Sequence, residues 1–209
     1  MPQPPFTNPI GTPFIELQSV DSTNNYARQQ IHAGLAHHGM AIFSHEQRSG
    51  KGQRGKTWSS EKNHNIILSI VIKPETLLLN QQFMLSACVA NAVHDFFVKY
   101  AGTDTRIKWP NDLYWQDRKA GGMLIESIVN SGKPGGIDQQ IIFDSQQPVS
   151  SNWNWSVVGI GININQTVFP PDLPNPVSLK QIAGKSFNTV DLAKELCKFL
   201  HKYFDELVN

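Results

Sequence analysis

The 209-residue chain reads as an α+β domain in which a mixed, mostly antiparallel sheet is packed by helices. Three observations predict this. Strand-like and helix-like runs mix without strict βαβ alternation. The run "NIILSIVIKP", from Asn65 to Pro74, is apolar and β-branched, and Pro74 ends it. Two long stretches place apolar residues at helical spacing. The first carries Phe83, Leu85, Val89, Val93, Phe96 and Phe97; the second carries Leu192, Leu196, Phe199, Leu200, Tyr203, Phe204 and Leu207.

The elements follow in order. Residues 1–13 are rich in proline and predict a flexible N-terminal arm ahead of a domain spanning 14–209. "FIELQSV", from Phe14, predicts a strand. Asp21, Ser22 and Thr23 offer caps to a short helix, "NNYARQQIHAG", that Gly34 ends. "GMAIFSHEQ" predicts a second strand, running into a glycine-rich loop. Gly102 stops the first long helix. "TRIKWPNDLYW", "KAGGMLIESIVN" and "WSVVGIGININ" each have strand character, and the last helix starts at Thr189. Residues 131–154 are polar and weakly patterned, and predict a long exposed hairpin or loop insertion.

Composition narrows the function classes. Net charge is +1, so no global field favours nucleic acid or an acidic membrane surface. The chain lacks a run of about 18 apolar residues and starts without a signal-peptide pattern, which predicts a cytoplasmic protein. Cys88 and Cys197 sit in apolar helical patterns without a C-x-x-C, as buried reduced thiols do. His37, His38, His45 and His64 show no ligand spacing, so no dedicated metal cage is predicted.

Two constellations carry chemistry. "SGKGQRGKTW" contains a G-x-G-x-x-G at Gly50, Gly52 and Gly55. A dinucleotide fingerprint needs a helix directly after that loop, and here another strand follows. The loop instead joins three glycines to Lys51, Arg54 and Lys56, which suits phosphate oxygens approached closely by backbone. A solvated hairpin tip is the alternative. The second constellation is "KWPND", Lys108 to Asp112, followed by "KAGG" from Lys119 to Gly122. Pro110 in a strand pattern forces an edge or a bulge. Asn, Asp and Lys at a strand end are costly in a core and fit a ligand site better.

With these motifs in place, the chain resembles the biotin protein ligases, or biotin–[acetyl-CoA-carboxylase] ligases. Ser22-Thr23-Asn24, "GKGQRG", "KWPND", "DRKAGG" and "GIGIN" (Gly159 to Asn163) stand in the family's order. The resemblance implies a biotin/lipoate ligase catalytic domain, akin to the class II aminoacyl-tRNA synthetases. It implies ATP, with Mg²⁺ carried in on it, as cosubstrate and biotin as substrate. The implied partner is a biotin carboxyl carrier domain of a biotin-dependent carboxylase, with no nucleic acid or membrane partner; a homodimer stays open.

By the same resemblance, Ser22, Thr23, Asn24, Gln47, Gly50, Lys51, Lys119 and Gly122 bind biotin. Arg54, Lys56, Trp58, Lys108, Asn111 and Asn163 serve ATP. Lys119, Lys51 and Asp112 are the catalytic candidates. The alternative roles are helix caps for Ser22 and Thr23, which can coexist with binding, a core position for Trp58 and a surface turn for Lys119. Lys51 replaces the family's usual Arg, which keeps charge but loses the bidentate fork, and Gln53 stands where some members have another Arg. The sequence shows neither the N-terminal DNA-binding domain nor the small C-terminal β-barrel that many members carry. Two other readings remain: a lipoate or octanoate ligase or transferase of the same fold, and a non-catalytic biotin-binding regulator.

Overall fold

A computed structural model describes residues 8–74, 77–130 and 152–208. The elements are β1 (Phe14–Leu17), α1 (Thr23–His32), β2 (Ala41–Ser44), β3 (Gly50–Lys51), β4 (Thr57–Trp58), β5 (Asn65–Ile72), α2 (Gln82–Ala101), β6 (Thr105–Lys108), β7 (Asp112–Trp115), β8 (Arg118–Asn130), β9 (Asn152–Asn163), α3 (Leu179–Ala183) and α4 (Thr189–Val208). Seven strands form one sheet in the order β1-β2-β5-β9-β8-β7-β6, with β9 at its centre. Within that sheet, among the described residues, only β1 and β2 pair in parallel; the other strand pairs are antiparallel. The expected mixed, mostly antiparallel sheet is therefore present.

Side-chain alternation gives the sheet two different faces. On β5 and β9, Ile66, Leu68, Ile70, Val158, Ile160 and Ile162 point into the main core with α2 and α4. A smaller cluster on the opposite face packs Ala27 of α1 against Ile42, Val71 and Val157. All eight residues of β5 are buried, which explains why the strand is apolar on both faces apart from Asn65 and Ser69. Asn188 caps α4, its Oδ1 accepting the Val190 and Asp191 N–H groups. Burial pushes the Cys88 and Cys197 thiols up to about 12, so neither is a nucleophile at neutral pH. Phe96 is fully buried on α2, and its ring meets Phe199 of α4 edge-on at 5.9 Å. Phe96→Ala is expected to cost about 3–5 kcal/mol, read as a lowered urea midpoint.

Three expectations need correction. The arm does not extend to residue 13: Ile10 is buried in the main core and Gly11 N–H donates to Gly39 O at 2.7 Å. Residues 1–7 lie outside the described residues. "TRIKWPNDLYW" is not one strand but the hairpin β6–β7, with Trp109, Pro110 and Asn111 at its turn. Pro110, Asn111 and Asp112 interrupt the strand pattern there, a turn signal that the single-strand reading passes over. The strand β9 begins at Asn152, earlier than its apolar pattern suggests; the rest of the expected 131–154 insertion lies outside the described residues.

Candidate functional site

A cavity of about 420 Å³ opens on the α1 side of the sheet. That volume suits a small-molecule ligand. Its floor is bare strand. Gly159 and Gly161 alternate on β9, and Gly122 of β8 pairs beside Gly161. Neighbouring side chains use the space this leaves. A Cβ on Gly161 would lie 2.5 Å from Trp58 Cε2, and one on Gly159 would lie 2.4 Å from Asn24 Oδ1.

One end of the cavity is polar and uncharged. Ser22 is the N-cap of α1, and its hydroxyl oxygen lies 3.5 Å from the Asn25 N–H. Gln47 reaches this helix start because its chain segment zips to Val20: Val20 N–H donates to Glu46 O, and Arg48 N–H to Val20 O. Gln47 Oε1 accepts the Thr23 backbone N–H at 2.9 Å and lies 3.2 Å from Thr23 Oγ1. The Gln47 oxygen is thus occupied, which leaves its NH2 as a donor. Ser22, Thr23 and Gln47 all line the cavity. Asn24 also borders it, but its amide engages Ser69 and Glu126.

The other end is charged. Lys119 Nζ donates to Asp112 Oδ1 at 2.6 Å. The bulge between Leu113 and Tyr114 shifts the β7–β8 register and separates Lys119 from Gly121 and Gly122. The backbone of Lys119 is clamped by the segment after β9: its N–H donates to Asn175 O, and its carbonyl accepts the Val177 N–H. Asn163 Nδ2 donates to Val177 O at 3.1 Å, tying the same segment to the floor. Asn111 Nδ2 donates to Met123 O at 3.2 Å and fixes the hairpin turn against β8.

The glycine-rich loop forms the cavity's cover. It is a small hairpin, β3 with β4, whose tip bends through Arg54 and Gly55 at φ 54° and 75°. Gly50 is a packing glycine rather than a lining residue: a Cβ there would lie 2.2 Å from Trp58 O. Lys51 Nζ donates to Asn25 Oδ1 at 2.6 Å, and Asn25 Nδ2 donates to Asp21 Oδ2 at 2.8 Å. That Asn25 bond, ahead of a backbone bond and a smaller pull from Lys51, holds the Asp21 carboxyl below its ordinary range. Arg54 and Lys56 line the cavity while remaining exposed. The Trp58 indole covers Gly161, and its buried N–H has no hydrogen-bond partner among the described residues.

The structure thus gathers the singled-out residues around one cavity, apart from Gly50 and Lys108. Lys108 ends the edge strand β6 and is exposed, with Nζ 5.5 Å from the Tyr114 ring centre. Sequence reasoning missed the wall made by Phe169, Leu173, Pro174 and Pro176. The signal was the proline-rich "FPPDLPNPV", which has no period to read. Among the described residues, no group of three His, Cys, Asp or Glu side chains converges as a metal site.

Known proteins resemble this chain in sequence and in fold. The sequence pattern of the Biotin/lipoate A/B protein ligase family matches residues 16–140. The bifunctional ligase/repressor BirA of Escherichia coli strain K12 is 35% identical over 126 residues, covering 60% of this chain and 37% of that protein. The biotin–[acetyl-CoA-carboxylase] ligase of Paracoccus denitrificans is 31% identical over 182 residues, covering 84% of this chain and 65% of that one. The chain spans 37–55% of the length of the first four curated relatives. The biotin protein ligase of Aquifex aeolicus, solved with biotin and ATP, superimposes with a TM-score of 0.71 at 22% identity, covering 93% of this chain and 71% of that one. The motif order, the fold and the matched pattern converge, and the chain belongs to the biotin/lipoate A/B protein ligase family.

Proposed function

We propose that this chain activates biotin with ATP and transfers the biotinyl group to a lysine of a biotin carboxyl carrier domain. The observation that carries the reading is one cavity with a neutral hydrogen-bonding end and a Lys119–Asp112 end, under a cationic loop. A ureido ring offers both N–H donors and a carbonyl acceptor, and matches the Ser22, Thr23 and Gln47 end. A dithiolane ring offers neither, which disfavours lipoate.

In the first step the biotin carboxylate attacks the α-phosphorus of ATP, and pyrophosphate leaves. Two anions must meet, so fixed cations lower the barrier as charge develops. Lys119 is rigidly mounted for this role, Lys51 supplies a second cation from the loop, and Arg54 and Lys56 serve the outgoing phosphates. Trp58, Asn111 and Asn163 surround the nucleotide. Asp112 is the only carboxylate among the described lining residues. Mg²⁺ carried on ATP would therefore keep phosphate and water as most of its ligands while supplying further positive charge. In the second step a carrier lysine amine attacks the biotinyl-AMP carbonyl and AMP leaves, with Asp112 placed to orient the amine. The reading puts the protein in the cytoplasm, where ATP is supplied.

The test is direct. The protein is mixed with ATP, Mg²⁺ and a carrier domain, with either biotin or lipoate, and the carrier is weighed. One added biotinyl group is expected, dependent on ATP; a mass change with lipoate alone would overturn the reading.

A further inference from the structure

Behind the neutral end of the cavity lies a buried polar chain whose deeper members, Ser69 and Glu126, belong to no motif. Glu126, on β8, is 4% exposed and does not line the cavity. Its Oε2 accepts from Asn24 Nδ2 at 2.7 Å, and its Oε1 lies 3.6 Å from Arg28 Nη1. Asn24 Oδ1 lies 2.6 Å from Ser69 Oγ, which is also 2.8 Å from Thr23 Oγ1. The Asn24 amide is seated on Gly159, opposite Ser69 in the β5–β9 register. Ser69 and Asn24 are both buried.

The direction of this chain follows from which atoms can donate. A carboxylate beside an arginine only accepts, so Asn24 must turn its NH2 to Glu126. Its oxygen then faces Ser69 and can only accept, so it takes the single Ser69 proton. Ser69 has none left for Thr23. The Thr23 proton therefore turns inward, to Ser69 or to Gln47 Oε1, and a Thr23 lone pair is left for the cavity. The Gln47 NH2 remains a donor. The ligand thus meets an acceptor beside a donor, in a fixed order.

We infer that Glu126 is a positioning residue that sets the hydrogen-bond polarity of the head-group end, making Thr23 an acceptor for a ligand N–H. This rests on the proposed biotin reading and extends it to a group about three hydrogen bonds behind the ligand. Arg28 makes the effect directional. In Glu126→Gln, the oxygen of the introduced amide would face Arg28 and its NH2 would face Asn24. Asn24 would then flip, Ser69 would receive a donor, and the Thr23 lone pair would no longer be reserved for the cavity. Adding Asn24→Asp restores an oxygen toward Ser69 and gives the introduced NH2 an acceptor.

The experiment measures biotin-dependent exchange of pyrophosphate into ATP, with biotin binding by calorimetry and thermal melts, on the full chain. Glu126→Gln is expected to raise KM and Kd for biotin roughly ten-fold with kcat within about two-fold. The double variant Asn24→Asp/Glu126→Gln is expected to return both to within about three-fold of the parent protein. A merely structural role would lower the melting temperature without this recovery. An unchanged KM in a folded Glu126→Gln, or no recovery in the double variant, overturns the inference. Should Glu126→Gln not fold, the double variant decides alone: near-parent KM supports the relay, and KM raised about ten-fold or more overturns it. Absent exchange in the parent protein would mark failure of the biotin reading itself, and the inference would fall with it.

Discussion

Lys119→Ala should lower adenylate formation by about 10²–10³ in kcat, corresponding to roughly 3–4 kcal/mol of barrier. The ammonium is a fixed charge: the Lys119 backbone N–H and carbonyl are both bonded to residues 175–177, and its Nζ is held by Asp112. Removing it has two consequences. The charge developing in the transition state loses a preorganised partner. The Asp112 carboxylate, three-quarters buried, is left without its cation and repels the incoming anions. Biotin binding should weaken much less than turnover, because the head-group end is untouched. Pyrophosphate exchange and calorimetry together check this. Near-normal exchange in the variant would remove Lys119 from the chemistry.

Gly161→Ala should be nearly as damaging, although it adds a single methyl group. The new Cβ would lie 2.5, 2.7 and 2.8 Å from three atoms of the Trp58 indole. An indole cannot fold away as a long aliphatic chain can, so the ring must lift from the floor and carry β4 with it. Overpacking of this kind costs about 1–3 kcal/mol, and here it falls on the ligand side. A drop of roughly 10- to 100-fold in kcat/KM for ATP is expected. Trp58→Phe in the same chain should recover part of the loss, since a smaller ring leaves room for the methyl group. A single variant with unchanged kcat/KM would show that Trp58 does not need that floor.

The site residues readable from sequence are those whose chemistry is local. Ser22 and Thr23 stand at a helix start, and the loop cations sit among glycines. Asp112 and Lys119 face each other across one short hairpin, β7 to β8, so seven residues of sequence separate an ion pair. Lys108 belonged to the same five-residue motif, yet the turn put it on the edge strand, over Tyr114. The split of that segment into β6 and β7 was legible in Pro110-Asn111-Asp112, a turn signal between two short strand-like runs. Glu126, Ser69 and Arg28 were not legible in this way. Asn24 meets Ser69 across 45 residues and Glu126 across 102. Such meetings depend on strand order and register, which single-chain periodicity does not encode. Glu126 in an apolar strand pattern reads as an ordinary outward-facing carboxylate until β8 is placed beside β9.

The glycine floor constrains how the selectivity of such a site can change. Gly122, Gly159 and Gly161 already carry the smallest side chain, so any substitution there can only subtract room, and at Gly159 and Gly161 the space is already claimed by Asn24 and Trp58. There is no graded series of small steps available from below. The ceiling is different: the hairpin from Gly50 to Trp58 and the wall from Phe169 to Pro176 meet the same cavity through side chains of varied length and charge. Drift toward a different ligand, or a designer seeking one, has its adjustable positions overhead, while the sheet beneath acts as a fixed datum.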